Sequence, residues 1–170
     1  MSASSRYAEE LALAIVASMR ADPPPGLPAR VVIRWFEGPD YLTIHVLGTD
    51  EEGAVALDDA WYPLEWPNEP REIQRVDAMF EDPNLAAAAS DLAAALEDES
   101  WPWGDAQPEP LVEAAAKIRE LIQEGGIAVA EHFAVGVCHF EGWGNDDSVP
   151  RANPRDVVDL LRERGHDPGE

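Results

Sequence analysis

The chain has 170 residues, of which 45% are hydrophobic, a composition that is typical of a globular domain and excludes an intrinsically disordered chain. It has no apolar run of roughly 18 residues and no signal-peptide pattern at its start, so we expect one cytoplasmic domain over residues 1–170 without a membrane span. Its one cysteine, Cys138, excludes an intramolecular disulfide and a zinc site built from several cysteines.

The net charge is strongly negative, at −22 from 34 acidic and 12 basic residues. Residues 50–109 contain 17 acids against two bases, Arg71 and Arg75, which is a net charge of −15. Such a field repels nucleic acid and anionic membranes and attracts basic partners. An alternative is adaptation to a salt-rich cytoplasm or a GC-rich genome, for which the single lysine, Lys117, is also typical.

The N-terminal third of the chain predicts one helix and a β-hairpin. Apolar residues recur at helical spacing over residues 8–19, and the helix must end before the consecutive prolines that begin at Pro23. Residues 30–36 and 41–47 read as two strands, and the four residues between them carry turn chemistry. Residues 54–57 are predicted to return as a third short strand.

Four further helices are predicted after the hairpin, from apolar residues at helical spacing and from start and stop signals. The clearest start is Asp82-Pro83, where an aspartate cap precedes a proline at the first helical position. The predicted helices cover about 70–81, 83–99, 110–124 and 154–164. The residues between the last strand and the last helix, 141–152, are predicted to form a loop.

Residues 133–140 form a short, almost wholly apolar run, and we predict that they are a buried central strand. An edge strand would normally carry a charge or a proline in such a run. Alternation places Phe133, Val135, Val137 and His139 on one face and Ala134, Gly136, Cys138 and Phe140 on the other. The small residues of the second set predict that something packs closely on that face. Strands and helices are grouped, so the predicted fold is α+β, with a mainly antiparallel sheet of about four strands and about five helices.

The residues with reactive side chains do not match a catalytic motif, and we assign no catalytic residue, metal ligand or cofactor. Cys138 and His139 are adjacent, but neighbours on a strand point to opposite faces and cannot act as nucleophile and base. A metal-binding or hydrolase-like site remains an alternative if the second hairpin strand lies beside residues 133–140. His45, His139 and the loop 141–152 would then form it.

Tryptophans flanked by acids suggest a surface for a basic protein, because aromatic anchors with an acidic rim suit such a partner. The predicted partner-binding residues are Trp61, Glu65, Trp66, Glu97, Asp98, Glu99, Trp101 and Trp103. The alternative is that these tryptophans cover the open end of the core.

The segment Trp61-Tyr62-Pro63-Leu64-Glu65-Trp66 lies after the hairpin and before the helices. It resembles a bacterial family of small α+β proteins of unknown function that share an aromatic-x-Pro-x-Glu-Trp box. Some of its members are immunity-type proteins encoded beside toxins. The resemblance implies a binding protein without a known catalytic residue. It extends to Pro63, Glu65 and Trp66, whose role we expect to be structural first.

The leading hypothesis is therefore a non-catalytic protein–protein interaction protein of the bacterial cytoplasm. It would bind a basic partner through the acidic region 50–110, as an immunity or inhibitor protein does against a nucleic-acid-directed toxin. We expect neither nucleic acid nor membrane as a partner. The alternatives are the metal or enzyme site described above and a housekeeping domain whose acidity reflects salt or genome adaptation. The oligomeric state is left open.

Overall fold

The structure is a computed structural model and describes residues 1–67, 81–97, 103 and 107–168. The fold of this part is α+β, as the sequence predicts, with five α-helices and one three-stranded sheet. The elements are α1 (Ala3–Ala21), β1 (Pro28–Trp35), β2 (Leu42–Gly48), α2 (Pro83–Ala95), α3 (Glu109–Glu124), β3 (Ala134–His139), α4 (Asn145–Ala152) and α5 (Arg155–Glu163). None of the helices in these ranges is long and apolar enough to cross a membrane.

The sheet has the order β2-β1-β3 and is mixed. The predicted hairpin is confirmed, since β1 and β2 pair antiparallel with Val32 opposite His45. β3 pairs with β1 in the parallel direction, with Gly136 opposite Val32. Within the described residues the sheet therefore has three strands where about four are predicted, and one of its two pairings is parallel where a mainly antiparallel sheet is predicted. Residues 54–57 form no strand, because the chain there makes short 3-10 turns.

β3 lies at the edge of the described sheet, so the prediction that residues 133–140 form the central strand is wrong. An apolar sequence is tolerated there because side chains bond to the outer edge of the strand. Asn153 accepts a hydrogen bond from Val135 N at 2.9 Å and donates one to Val135 O at 2.7 Å. Ser148 does the same with Val137, at 2.8 Å and 2.9 Å. The central strand is β1, all eight residues of which are buried.

Each face of the sheet carries its own core. The first face, which bears Val31, Ile33 and Trp35, is covered by α1, α2 and α3. The second face bears Arg30, Val32 and Arg34 and is covered by α5 and by residues of the segment 55–66. The alternation predicted for residues 133–140 is confirmed for their apolar members, because Phe133, Val135 and Val137 join the first core and Ala134 and Cys138 join the second.

Gly136 allows the close packing that the small residues of β3 predict. A Cβ atom at this position would lie 2.6 Å from Asn145 Oδ1 and 2.9 Å from the indole ring of Trp61. Both distances are far below van der Waals contact, so only glycine fits without a shift of its neighbours. The segment 50–67 can therefore lie directly on the sheet.

The helix predictions hold best where a local signal marks the end of the element. Asp82 caps α2 and accepts hydrogen bonds from the amides of Asn84 and Leu85, as predicted. α2 ends at Ala95 rather than 99, ahead of the acids that would lie unfavourably at its C-terminus. The predicted helix 70–81 falls almost wholly outside the described residues. Residues 145–152 form α4, so the prediction of a loop there is wrong.

Candidate functional site

The carboxyl ends of β1 and β3 meet at one edge of the sheet because the two strands are parallel. Five aromatic side chains gather there, and we call them the aromatic strip: Phe36, Tyr41, His139, Phe140 and Trp143. The rings of Tyr41, Phe36 and Trp143 are 57%, 39% and 38% exposed. His139 and Phe140, which link these three rings, are partly buried. Large aromatic rings are more often buried, so three exposed ones at one end of the sheet mark a candidate interaction surface.

The rings of the aromatic strip contact one another in sequence along the surface. Tyr41 and Phe140 stack with centroids 5.9 Å apart and an interplanar angle of 21°. Phe36 contacts both, at 6.0 Å and 5.8 Å, and lies 5.9 Å from His139. His139 in turn stacks on Trp143 at 4.8 Å and 20°. The strip therefore runs without interruption from Tyr41 to Trp143.

Buried groups hold the aromatic strip in place. The ring of Trp35 lies beneath it, with centroids 4.7 Å from His139 and 5.4 Å from Trp143. The backbone of His139 donates to Trp143 O and accepts from Gly142 N, both at 2.8 Å. Gly142 has a φ of +91°, a backbone conformation that favours glycine, so the tight turn between the two rings depends on it. The exposed rings are thus presented by an ordered support.

Carboxylates surround the aromatic strip at both ends. Glu37 and Asp40 are exposed in the hairpin turn beside Phe36 and Tyr41. Glu141 follows Phe140, and its Oε2 lies 3.7 Å from Nδ1 of His139. Beyond Trp143, a groove of about 470 Å³ carries Glu109, Asp146 and Asp147, together with Gln107, Gly144 and Arg151. This end of the sheet therefore combines flat apolar rings with carboxylates near both ends of the aromatic strip, of which Glu109 and Asp147 are paired with Arg151.

A guanidinium group already contacts one ring of the strip from the inside. Arg34 is 1% exposed and lies with its guanidinium carbon 4.3 Å from the ring centroid of Phe140. It also donates a hydrogen bond to the carbonyl oxygen of Phe140 at 2.9 Å. This pair shows how the strip accommodates a planar cation.

The reactive side chains of the second face are buried and neutral. Burial, and then the neighbouring charge of Arg34, lower the pKa of His45 to about 3. Burial raises the pKa of the Cys138 thiol to about 12, although Arg34 and hydrogen bonds from Asn145 and Arg34 act in the other direction. A protonated, enclosed thiol is not a nucleophile. These side chains therefore belong to the interior.

His45 and His139 do not come together. β1 lies between their strands, and the pairing of His45 with Val32 and of His139 with Trp35 places them on opposite faces of the sheet. The condition for the alternative metal or enzyme site, that the second hairpin strand lies beside residues 133–140, is not met. Within the described ranges, no group of three or more His, Cys, Asp or Glu side chains could hold a metal ion.

A second polar cluster, which the sequence did not indicate, lies at the amino end of β1. The carboxylate of Glu52 is 3.0 Å from Arg30 Nη2 and 2.8 Å from His132 Nε2. Arg30 also donates to Nδ1 of His166, and the carbonyl oxygen of His166 accepts from the indole of Trp61 at 2.8 Å. Burial, followed by the charge of Arg30, lowers the pKa of His166 to about 4. The cluster fixes the C-terminal segment and the segment after β2 to the sheet.

The predicted partner-binding residues have mixed positions. Trp61, Trp66 and Trp103 are buried in the two cores, as in the alternative interpretation that they cover the core. Glu65 and Glu97 are exposed. The remaining predicted residues, Asp98, Glu99 and Trp101, lie outside the described residues. The exposed aromatic anchors of the described part are therefore those of the aromatic strip.

Comparisons with protein-family models, with curated proteins and with solved structures each find no match. The resemblance suggested by the box at residues 61–66 therefore stays a prediction. Within the box, Pro63 and Trp66 are buried, and the indole of Trp66 donates to Asp59 O at 3.2 Å. These observations agree with a structural role for Pro63 and Trp66, whereas Glu65 is exposed.

Proposed function

We propose that this chain is a non-catalytic binding protein that receives a basic protein partner on the aromatic strip and its surrounding carboxylates. The observation that carries the proposal is the exposure of Phe36, Tyr41 and Trp143 at one edge of the sheet of a chain whose net charge is −22. Aromatic residues are enriched in the centres of protein interfaces, where they supply most of the binding energy. A surrounding negative field accelerates association with a basic protein and makes it sensitive to salt.

The placement of the other polar groups supports a binding role. His45 and Cys138 are enclosed in the core of the second face, where a substrate does not reach them. His139 contributes to the aromatic strip as a ring held between Trp35 and Trp143. The groups that a partner can reach at this end of the sheet are thus aromatic rings and carboxylates, which bind by contact area and charge. An immunity or inhibitor protein acts through such chemistry, by occupying the basic functional surface of its target.

Capture from a lysate of the source organism, at low and at high salt, tests the proposal when matched variants are compared. Tyr41→Ala removes an exposed ring of the strip, and Leu57→Ala removes a 60% exposed apolar side chain elsewhere. Glu141→Lys and Glu131→Lys make the same charge change at the two ends of β3, beside the strip and away from it. We expect one basic protein that wild type and the two control variants retain at low salt and that the two strip variants lose.

The purified partner then allows the association rate to be measured against ionic strength. We expect Glu141→Lys to slow association several-fold and Glu131→Lys to have a much smaller effect, because nearby charges dominate steering. A partner retained equally by all four variants, or no basic partner at either salt concentration, would overturn the proposal. In the second case, a melting temperature that rises steeply with potassium chloride would assign the acidity to salt adaptation.

A further inference from the structure

The aromatic strip can distinguish between kinds of positively charged side chain as well as attract them. The inference below rests on the function proposed above. We infer that the strip selects arginine side chains of its partner over lysine side chains. The partner segment would present arginines to the two exposed ends of the strip, one at Tyr41 and one at Trp143. Both ends combine a flat ring with nearby carboxylates.

At the first end, the ring of Tyr41 continues a stack that already begins with a guanidinium. Arg34 lies 4.3 Å from the ring centroid of Phe140, and Phe140 stacks with Tyr41 at an angle of 21°. Tyr41 is 57% exposed, and Glu37 and Asp40 are exposed in the same turn. A second guanidinium laid on Tyr41 would repeat the contact that Arg34 makes with Phe140 and would reach a carboxylate with its N–H groups.

At the second end, Arg151 of this chain shows how carboxylates bind a guanidinium. Its Nη2 lies 2.5 Å from Glu109 and its Nη1 3.0 Å from Asp147, so that two carboxylates hold the two arms of one guanidinium. Trp143 lines the same groove and is 38% exposed. Asp146 also lines the groove and is exposed. An incoming guanidinium on the indole of Trp143 would find a carboxylate acceptor beside it.

The physical basis of the selection is the shape and hydration of the two cations. A guanidinium is planar and weakly hydrated, so it can stack on an aromatic ring and bond to carboxylates in its own plane at the same time. An ammonium group is a compact and strongly hydrated charge, which gains attraction from the carboxylates but loses water when it is placed against a ring. Carboxylates alone would not distinguish the two cations well, so the rings supply the selectivity.

Matched oligoarginine and oligolysine peptides of equal length are the probes for this inference. Their affinities for the full chain are measured by calorimetry at one ionic strength. We expect the oligoarginine peptide to bind about tenfold more tightly. Tyr41→Ala and Trp143→Ala should each weaken oligoarginine binding roughly threefold to thirtyfold and leave oligolysine binding nearly unchanged. Leu57→Ala, which removes a comparably exposed apolar side chain, should alter neither affinity.

The possible results separate this inference from the proposed function. Equal affinities for the two peptides, both reduced by the strip variants, would overturn arginine selection and leave the basic partner in place. Binding that no strip variant changes, or no binding of either peptide, would overturn both. Trp143 contacts Trp35, so the folding of Trp143→Ala is checked first, and where this variant does not fold, Tyr41→Ala with its control Leu57→Ala decides the question.

Discussion

Asn153 occupies the place that the backbone of a neighbouring strand would take beside Val135. Its side-chain amide accepts from Val135 N at 2.9 Å and donates to Val135 O at 2.7 Å. Both groups of the amide are used in the way that a peptide group uses its N–H and C=O in a sheet. Side chains therefore bond to the outward N–H and C=O groups of β3 at Val135 and Val137, and these groups need no further strand as a partner.

The first prediction concerns Ser148, which closes the same edge at Val137. Ser148→Ala should lower the free energy of unfolding by about 1–3 kcal/mol, because it leaves the buried N–H of Val137 without its acceptor. Ser90→Ala changes an exposed serine of α2 and should cost less than about 0.5 kcal/mol. Urea denaturation followed by tryptophan fluorescence measures both. Equal costs for the two variants would contradict the role that we assign to Ser148.

The second prediction concerns pH and His45. The pKa of His45 is about 3 in the folded protein and about 6.5 in the unfolded chain, so the unfolded chain binds the proton more tightly. The contribution of His45 to stability is present in full above pH 6.5 and is lost as the pH falls from there toward 3. Between pH 7 and pH 5 this loss is about 2 kcal/mol.

A variant isolates this term from the carboxylates, whose mutual repulsion also changes with pH. His45→Leu removes the titrating ring, so its stability should fall less than that of wild type between the two pH values. Urea denaturation measures the free energy of unfolding of both proteins at the two pH values. The loss in wild type should exceed the loss in His45→Leu by about 2 kcal/mol. Parallel curves for the two proteins would mean that His45 titrates normally.

The third prediction concerns the close approach of Trp61 and Asn145 to Gly136. Gly136→Ala should destabilise the protein by about 1–3 kcal/mol, since the added methyl group would overlap both neighbours. Gly53→Ala serves as the control, because no atom lies within 4 Å of the Cβ that it adds. Thermal and urea denaturation of the two variants should separate them clearly. A Gly136→Ala variant as stable as wild type would mean that Trp61 does not pack on β3 as described.

Local signals in the sequence were sufficient for several elements and insufficient for the sheet. The cap at Asp82 and the four-residue turn between β1 and β2 each depend on neighbouring residues, and both were predicted. The parallel pairing of β1 with β3 joins segments that are far apart in the chain, and no local pattern encodes it. The apolar pattern of residues 133–140 does not reveal the edge position of β3 either, because that position depends on contacts with other segments. The groups that replace a neighbouring strand come from Ser148 and Asn153, which follow it in sequence.

For the candidate site, the sequence predicts the kinds of residue but not which residues come together. The sequence predicts acidity and exposed aromatic anchors, but its pattern points to the tryptophans of the segment 61–66 and of the later loop. That segment instead packs on the second face, where Gly136 leaves room for Trp61. The rings of the aromatic strip come from the hairpin turn and from the residues after β3. They become neighbours only because β1 and β3 are parallel and end at the same edge.

The fourth prediction concerns Glu52, the carboxylate shared by Arg30 and His132. Burial lowers the pKa of Arg30 to about 10, and Glu52 acts in the opposite direction by favouring the charged guanidinium. Glu52→Gln removes the negative charge and leaves Arg30, which is 1% exposed, as an uncompensated buried cation. We expect a loss of about 3–5 kcal/mol in the free energy of unfolding, measured by urea denaturation.

An exposed ion pair provides the control for Glu52. Asp91 lies 2.7 Å from Arg6, and their side chains are 57% and 43% exposed. Asp91→Asn should cost no more than about 1 kcal/mol, because water screens this pair and replaces its contacts. The double replacement Glu52→Gln with Arg30→Met should be more stable than Glu52→Gln alone. It removes the buried guanidinium that Glu52→Gln leaves without a negative partner. A Glu52→Gln variant that loses no more than Asp91→Asn would mean that the cluster at the amino end of β1 contributes little to stability.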